Sequence, residues 1–162
     1  VSRSEARRAR AEVRWGHGRR LVVVDLENIA GGPCQTEDCA AWVRRRLADA
    51  GALRPGDHVT VAVDEGALPS VVWVWQGSVC RWGHGRDGAD LALVEELGQR
   101  VHERFDEVVL ASGDGLFADT VAALVARGVR VTVAAHGTSL SRRLATVASD
   151  LLLLSPGSTA AA

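Results

Sequence analysis

Apolar residues fall along this chain in two alternating kinds of stretch. Leu21-Val22-Val23-Val24 is an unbroken, largely β-branched run, the pattern of a strand buried on both faces of a parallel sheet. Gly31-Gly32-Pro33 breaks the pattern. Thr36 then caps a predicted helix in which Cys39, Val43, Leu47 and Ala50 keep helical spacing, and Gly51 ends it. Pro55-Gly56 makes a turn, and His58 to Val63 alternates as a second strand.

From Ala67 to Trp82 neither period dominates. Trp73, Trp75 and Trp82 are expected as core or cover residues, with a short strand at Val79 to Trp82. A segment holding Gly77, Gly83, Gly85 and Gly88 follows. Asp87 can cap a helix over Gly88 to Phe105, with Leu91, Val94, Leu97 and Val101 facing inward. Glu107 to Ala111 predicts a further buried strand, Leu116 to Ala126 a helix stopped by Gly128, and Val129 to Ala135 another strand. Ser139 or Ser141 starts a last helix, and Leu151 to Leu154 makes the last strand. Strands alternating with helices imply βαβ units, hence an α/β fold of three layers with a mostly parallel central sheet.

The ends differ from this body. Residues 1–20 carry seven Arg against Glu5 and Glu12, a balance of +5, with a short helix expected over Glu5 to Arg14 behind Ser4. The net charge of the 162 residues is −1, so the part from Leu21 onward carries −6. The chain therefore divides into a basic arm (1–20), an acidic globular part (21–154) and a polar, Ala-rich tail (155–162). A basic arm is either a solvated extension or is drawn to a polyanion. No apolar run approaches a membrane span and no signal-peptide stretch opens the chain, so a cytoplasmic, membrane-free protein is expected.

Composition removes several chemistries. All 19 basic residues are Arg, which leaves no Lys for a phosphate loop, a Schiff base or a phospho-receiver site. Cys34, Cys39 and Cys80 form no CxxC pair, and His17, His58, His84, His102 and His136 stand singly, so no zinc spacing exists. Reduced thiols are expected, with a Cys34–Cys39 bridge as the alternative. Asp25 to Gly32 lacks the G-x-G-x-x-G turn of a dinucleotide site.

What remains is a set of acids at strand ends. Asp25 closes the first strand, with Glu27 and Asn28 after it. Asp114 follows the strand ending near Ala111-Ser112, and Asp90 lies in the first turn of a helix. Ligands of an open parallel sheet bind beyond the strands' carboxyl ends, where strand order reverses. If the strands bearing Asp25 and Asp114 are neighbours there, their carboxylates converge, with Asp90 as a third. Such acids stay ionised together only around a cation, and an all-oxygen set favours Mg²⁺ or Mn²⁺. The chemistry this suits is phosphodiester hydrolysis. Each acid also has a local role open to it: Asp25 and Asp114 as cap or turn residues, Asp90 beside a helix dipole. Glu95, Glu96 and Asp119 read as solvated helix positions.

Three motifs carry a resemblance. Asp25-Leu-Glu-Asn28 after an apolar strand, Gly88-Ala-Asp90-Leu-Ala-Leu opening a helix, and Val109-Leu-Ala-Ser-Gly-Asp-Gly-Leu-Phe117 stand in the order found in the NYN domain, a branch of the PIN-like nucleases. Gly128-Val-Arg-Val-Thr-Val, Ser139-Leu-Ser-Arg-Arg-Leu and Ser149-Asp150 resemble that family's C-terminal half, so residues 20–154 are covered. The resemblance implies a Rossmann-like PIN fold and metal-dependent cleavage of RNA. It implies Asp25, Asp90 and Asp114 as catalytic, metal-holding acids, and Asn28 and Ser112 as polar supports. The family commonly has a further Asp two places after the last of these. Here that position is Leu116, so Asp119, Asp87 or Glu27 must supply the missing charge, or the chain is an inactive module that binds RNA or protein.

For substrate, Arg81, Trp82, His84 and Arg86 interleave basic and aromatic groups suited to unpaired bases and phosphates, with Arg142 and Arg143 on the same edge. Single-stranded RNA is the expected partner, and the fold leaves room for a homo-oligomer or protein partner. His136, alone after a strand, is read as a surface residue rather than a base.

Overall fold

The computed structural model describes residues 18–83 and 88–155. The expected helix over Glu5 to Arg14, the residues His84, Arg86 and Asp87, and the tail from 156 onward lie outside the described residues. Six strands form one sheet: β1 (Arg20–Asp25), β2 (His58–Asp64), β3 (Val79–Gly83), β4 (Glu107–Ala111), β5 (Arg130–His136) and β6 (Asp150–Leu154). Their order is β3-β2-β1-β4-β5-β6, and every pairing is parallel. The chain thus winds outward from β1 in one direction, then returns to β1's other side with β4 and winds the opposite way. The sheet reverses between β1 and β4.

Helices cover both faces. Val22 and Val24 of β1 pack with α1 (Leu26–Ala30), α2 (Glu37–Asp49) and α3 (Leu68–Val74) through Ile29, Val43, Leu47 and Val71. Leu21 and Val23 point the other way, toward α4 (Gly88–Gly98), α5 (Val101–Arg104), α6 (Ala118–Ala126) and α7 (Arg142–Val147), meeting Leu93, Leu97, Val121 and Leu144. All of β1 is buried, as an apolar run without alternation requires. Thr36 caps α2 by accepting from the Cys39 N–H at 3.2 Å, an interaction worth about 1 kcal/mol. Among the described residues no helix is long and apolar enough to cross a membrane.

The structure corrects several expectations. Arg20, counted with the basic arm, begins β1, where it is buried and holds both carboxylate oxygens of Asp57 at 2.9 Å. The ambiguous stretch contains α3, with a Pro in its first turn. Trp75 behind it is buried, but Trp73 is 69% exposed and Trp82 50% exposed, because α3 and β3 form the outer margin of the sheet. The single helix expected over Gly88 to Phe105 is two helices. Gly98 weakens the first, and Arg100 turns left-handed at φ 54° before α5. Leu97 and Val101 face inward as expected and Val94 packs against the core, but Leu93 takes the place expected of Leu91, which is 58% exposed. Glu96, read as solvated, is buried and bound by Arg81 at 2.9 and 3.0 Å. Cys34 and Cys39 are joined as a disulfide across the loop before α2, and Cys80 is half-buried and free.

The loop after β4 is clamped from the neighbouring crossover. Ser141 N–H donates to the Gly113 carbonyl at 2.9 Å, and a Cβ on Gly113 would overlap the Ser139 carbonyl. Backbone lies against backbone there, so a methyl has no flexible neighbour to displace. Gly113→Ala is expected to cost roughly 1–3 kcal/mol of stability, read as a lower urea midpoint at unchanged slope.

Candidate active site at the carboxyl edge of the sheet

Asp25 is the last residue of β1 and has two jobs at once. Its side chain caps α1 by accepting from the Asn28 N–H at 3.2 Å, which confirms the local role. Its second oxygen accepts from the Ser112 hydroxyl at 2.8 Å, across the β1–β4 reversal. Ser112 is fully buried and its hydroxyl oxygen in turn accepts from the Asp114 N–H at 3.2 Å. Asn28 completes the tie, its Oδ1 accepting from the Gly113 N–H at 2.9 Å. The segment Ser112-Gly113-Asp114 is therefore sewn to the start of α1 by side chains from both sides. Asp114 stands exposed at the mouth, its carboxylate capping the following 3₁₀ turn through the Leu116 N–H at 2.8 Å.

Electrostatics show which acids face one another. Asp25 is 6% exposed. Burial first, then the carboxylate of Asp90, push its carboxyl from 3.8 up to about 7. The Ser112 hydroxyl and the Asn28 N–H pull it down, and Asp114 adds a smaller upward push. Two acids from distant chain segments thus act on a third. Asp90 also acts on Glu27, whose carboxyl is raised by burial and by Asp64, against a hydrogen bond from the Cys34 N–H. Asp64 ends β2 as Asp25 ends β1, and the same strand-end logic could have found it in the sequence.

The other expected residues divide. Asp119 is exposed, ion-paired with Arg143 at 2.5 Å, and is not among the groups acting on Asp25. Arg81 is committed to Glu96. Trp82 is near the carboxyl end of β3 with half its surface open. Arg142 opens α7, beside the Gly113 clamp, and is exposed with no ion-pair partner among the described residues. His136 is half-buried, its Nε2 3.0 Å from the Ile29 carbonyl, which ties β5 to α1.

A divalent cation can be tested against this donor set. Among the described residues no group of three or more His, Cys, Asp or Glu is arranged as a finished metal cage. Mg²⁺ does not need one, since it keeps several waters and commonly takes only one or two carboxylates with substrate phosphates. The donors are all oxygens, and the mutual repulsion that raises Asp25 is what a cation relieves. The residues fit a hard cation bound through few direct ligands.

The raised carboxyl of Asp25 makes a stability statement. Its folded value, about 7, lies above the unfolded value near 3.8, so its contribution is full below pH 4 and is lost as pH rises through 7. In EDTA, Asp25→Asn should therefore be more stable than the parent at pH 8, by roughly 1–3 kcal/mol, with the advantage vanishing toward pH 4. Thermal melts across pH measure it.

Relatives place this edge in context. No curated protein matches the chain significantly. A crystal structure of a protein of unknown function from Vibrio parahaemolyticus RIMD 2210633 is similar with a TM-score of 0.59 and 18% identity, over 86% of this chain and 94% of that one. At that identity the likeness speaks for the fold alone, a Rossmann-like α/β arrangement. The family model described as NYN domain matches residues 71–154, which includes Asp90, Ser112 and Asp114. With half of its length matched, this chain belongs to the NYN domain family, a family of PIN-like nucleases.

Proposed function

We propose that this chain is a metal-dependent ribonuclease that hydrolyses phosphodiester bonds of single-stranded RNA at the Asp25–Asp90–Asp114 edge. The supporting observation is the rise of the Asp25 carboxyl to about 7 with Asp90 and Asp114 among its causes, which joins three chain-distant acids in one electrostatic unit. Membership of a nuclease family supplies the reaction class. The 21–154 part carries the activity and the arm attracts the polyanion.

The chain's own residues divide the work. Ser112 and the Asn28 N–H hold both oxygens of Asp25, so its carboxylate is oriented before substrate arrives. Asn28 fixes the loop that carries Asp114, setting the distance between the two acids. Mg²⁺ or Mn²⁺, when bound, offsets the carboxylate charge and polarises the phosphoryl group under attack. Asp25, Asp90 and Asp114 are the residues that hold it. Leu116 contributes no charge, and Asp119 is turned to Arg143. Glu27 takes that place in our reading, since it shares Asp90 with Asp25. Trp82 offers a face for a base and Arg142 a guanidinium for a phosphate, with Arg81 the lesser contact because Glu96 holds it.

A second reading has one observation in its favour. Leu116 replaces a carboxylate that active relatives commonly carry, which suits an inactive module that binds RNA or protein. A cleavage assay separates the two. The protein should cut single-stranded RNA in Mn²⁺ and stop in EDTA. Asp25→Asn or Asp114→Asn should lower the rate by about 100-fold or more, Glu27→Gln by about tenfold, and Asp119→Asn by less than about twofold. RNA binding without cleavage in either Mg²⁺ or Mn²⁺ decides for the inactive module.

A further inference from the structure

A cavity of about 550 Å³ opens at the amino end of the sheet, opposite the acids, between the C-terminal half of α2, the turn before β2 and the turn after α3. Val59 near the start of β2 lines it, whereas Asp64 at the other end of that strand faces the acids, roughly 16 Å away at about 3.3 Å per residue. Arg44, Arg45 and Arg54 line this cavity. Arg44 donates to the Val74 carbonyl at 2.9 Å and lies 6.0 Å from the centre of the Trp75 ring. The guanidinium groups of Arg45 and Arg54 have no hydrogen-bond or ion-pair partner among the described residues, and both side chains are exposed. Asp57, the acid in the lining, is already held by Arg20 through both oxygens and by the Arg54 N–H at 2.7 Å. The uncompensated charge of the cavity is therefore positive, in a globular part that is acidic as a whole.

A second observation falls on the same side of the molecule. Among the described residues the buried side-chain polar atoms without a hydrogen-bond partner are Trp75 Nε1 and Arg46 Nε and Nη2. All are donors. Trp75 lines this cavity, and Arg46, 5.3 Å from the centre of the Trp42 ring, lines an adjoining one of about 310 Å³ that shares Arg45. These enclosed donors add positive potential beside the cavity, and the exposed guanidinium groups that line it are complementary to a ligand rich in anionic acceptors.

We propose that this amino-end cavity binds a phosphate-bearing ligand of nucleotide size, held by Arg45 and Arg54 over the Arg44–Trp75 wall. Its volume lies within the usual range for small-molecule sites, about 300–1,000 Å³. The phosphate can belong to a free nucleotide or to a nucleotide unit of an RNA chain. The site is separate from the carboxyl-edge acids and does not depend on their chemistry.

Calorimetric titration of the full chain at low salt tests it, with inorganic phosphate, a ribonucleoside 5′-monophosphate and a short single-stranded oligoribonucleotide as probes. The parent should bind, and the Arg45→Ala/Arg54→Ala double variant, whose exposed positions leave the core intact, should bind at least about tenfold more weakly. Asp25→Asn should bind the mononucleotide as the parent does. The Trp75 indole N–H resonance, identified by its loss in Trp75→Phe, should shift on addition of the mononucleotide. A loss already visible with the mononucleotide identifies a free nucleotide as ligand, and a loss seen with the oligoribonucleotide alone identifies the RNA backbone. Absence of binding by every probe, or equal binding by the double variant, overturns the proposal.

Discussion

A carboxylate buried where β1 meets β4 is hard to ionise, and the carboxyl edge of this sheet is organised around that difficulty. Asp25 has a hydroxyl on one oxygen and a backbone N–H on the other, which orient it but do not neutralise it. Its neighbours make matters worse, since Asp90 and Asp114 add negative charge from two other segments. A fold that only needed a cap for α1 could use an exposed Asp or Ser in that place. A buried acid facing further acids is an arrangement that a bound cation completes.

Strand order is what makes this meeting occur. Because β4 returns to the free side of β1, the loop after β4 lands beside the start of α1, and Asn28 and Ser112 can reach across the seam. The clamp of Gly113 beneath Ser139 and Ser141 fixes the same loop from the β5–α7 side. Three crossovers thus converge on one short segment, and a shift in any of them would move Asp114 relative to Asp25. The acids are placed by topology; their local capping bonds set only the final orientation.

Much of this was readable from the residues. Val22-Val23-Val24 without alternation demanded cover on both faces, and both faces are covered. Asp25 and Asp114 could be placed at strand ends because β-branched runs end sharply there. The rest depended on contacts between distant segments, which no local pattern records. Glu96 looks like a solvated helix residue until Arg81, on an edge strand, reaches it. Trp73 and Trp82 look like core until β3 proves to be the margin of the sheet. Gly98 gave warning of the break before Arg100, but a helical period running on through Val101 concealed it. That Glu27 faces Asp64 and, more weakly, Asp90 depends on contacts between segments that no local pattern records.

The most direct measurement of the central claim is anomalous diffraction from crystals grown in Mn²⁺. The account predicts a single strong anomalous peak at the carboxyl edge, within coordination distance of Asp25 and at least one of Asp90 and Asp114. Crystals at saturating Mn²⁺ in which that edge shows no peak, with the three carboxylates turned apart, would contradict it.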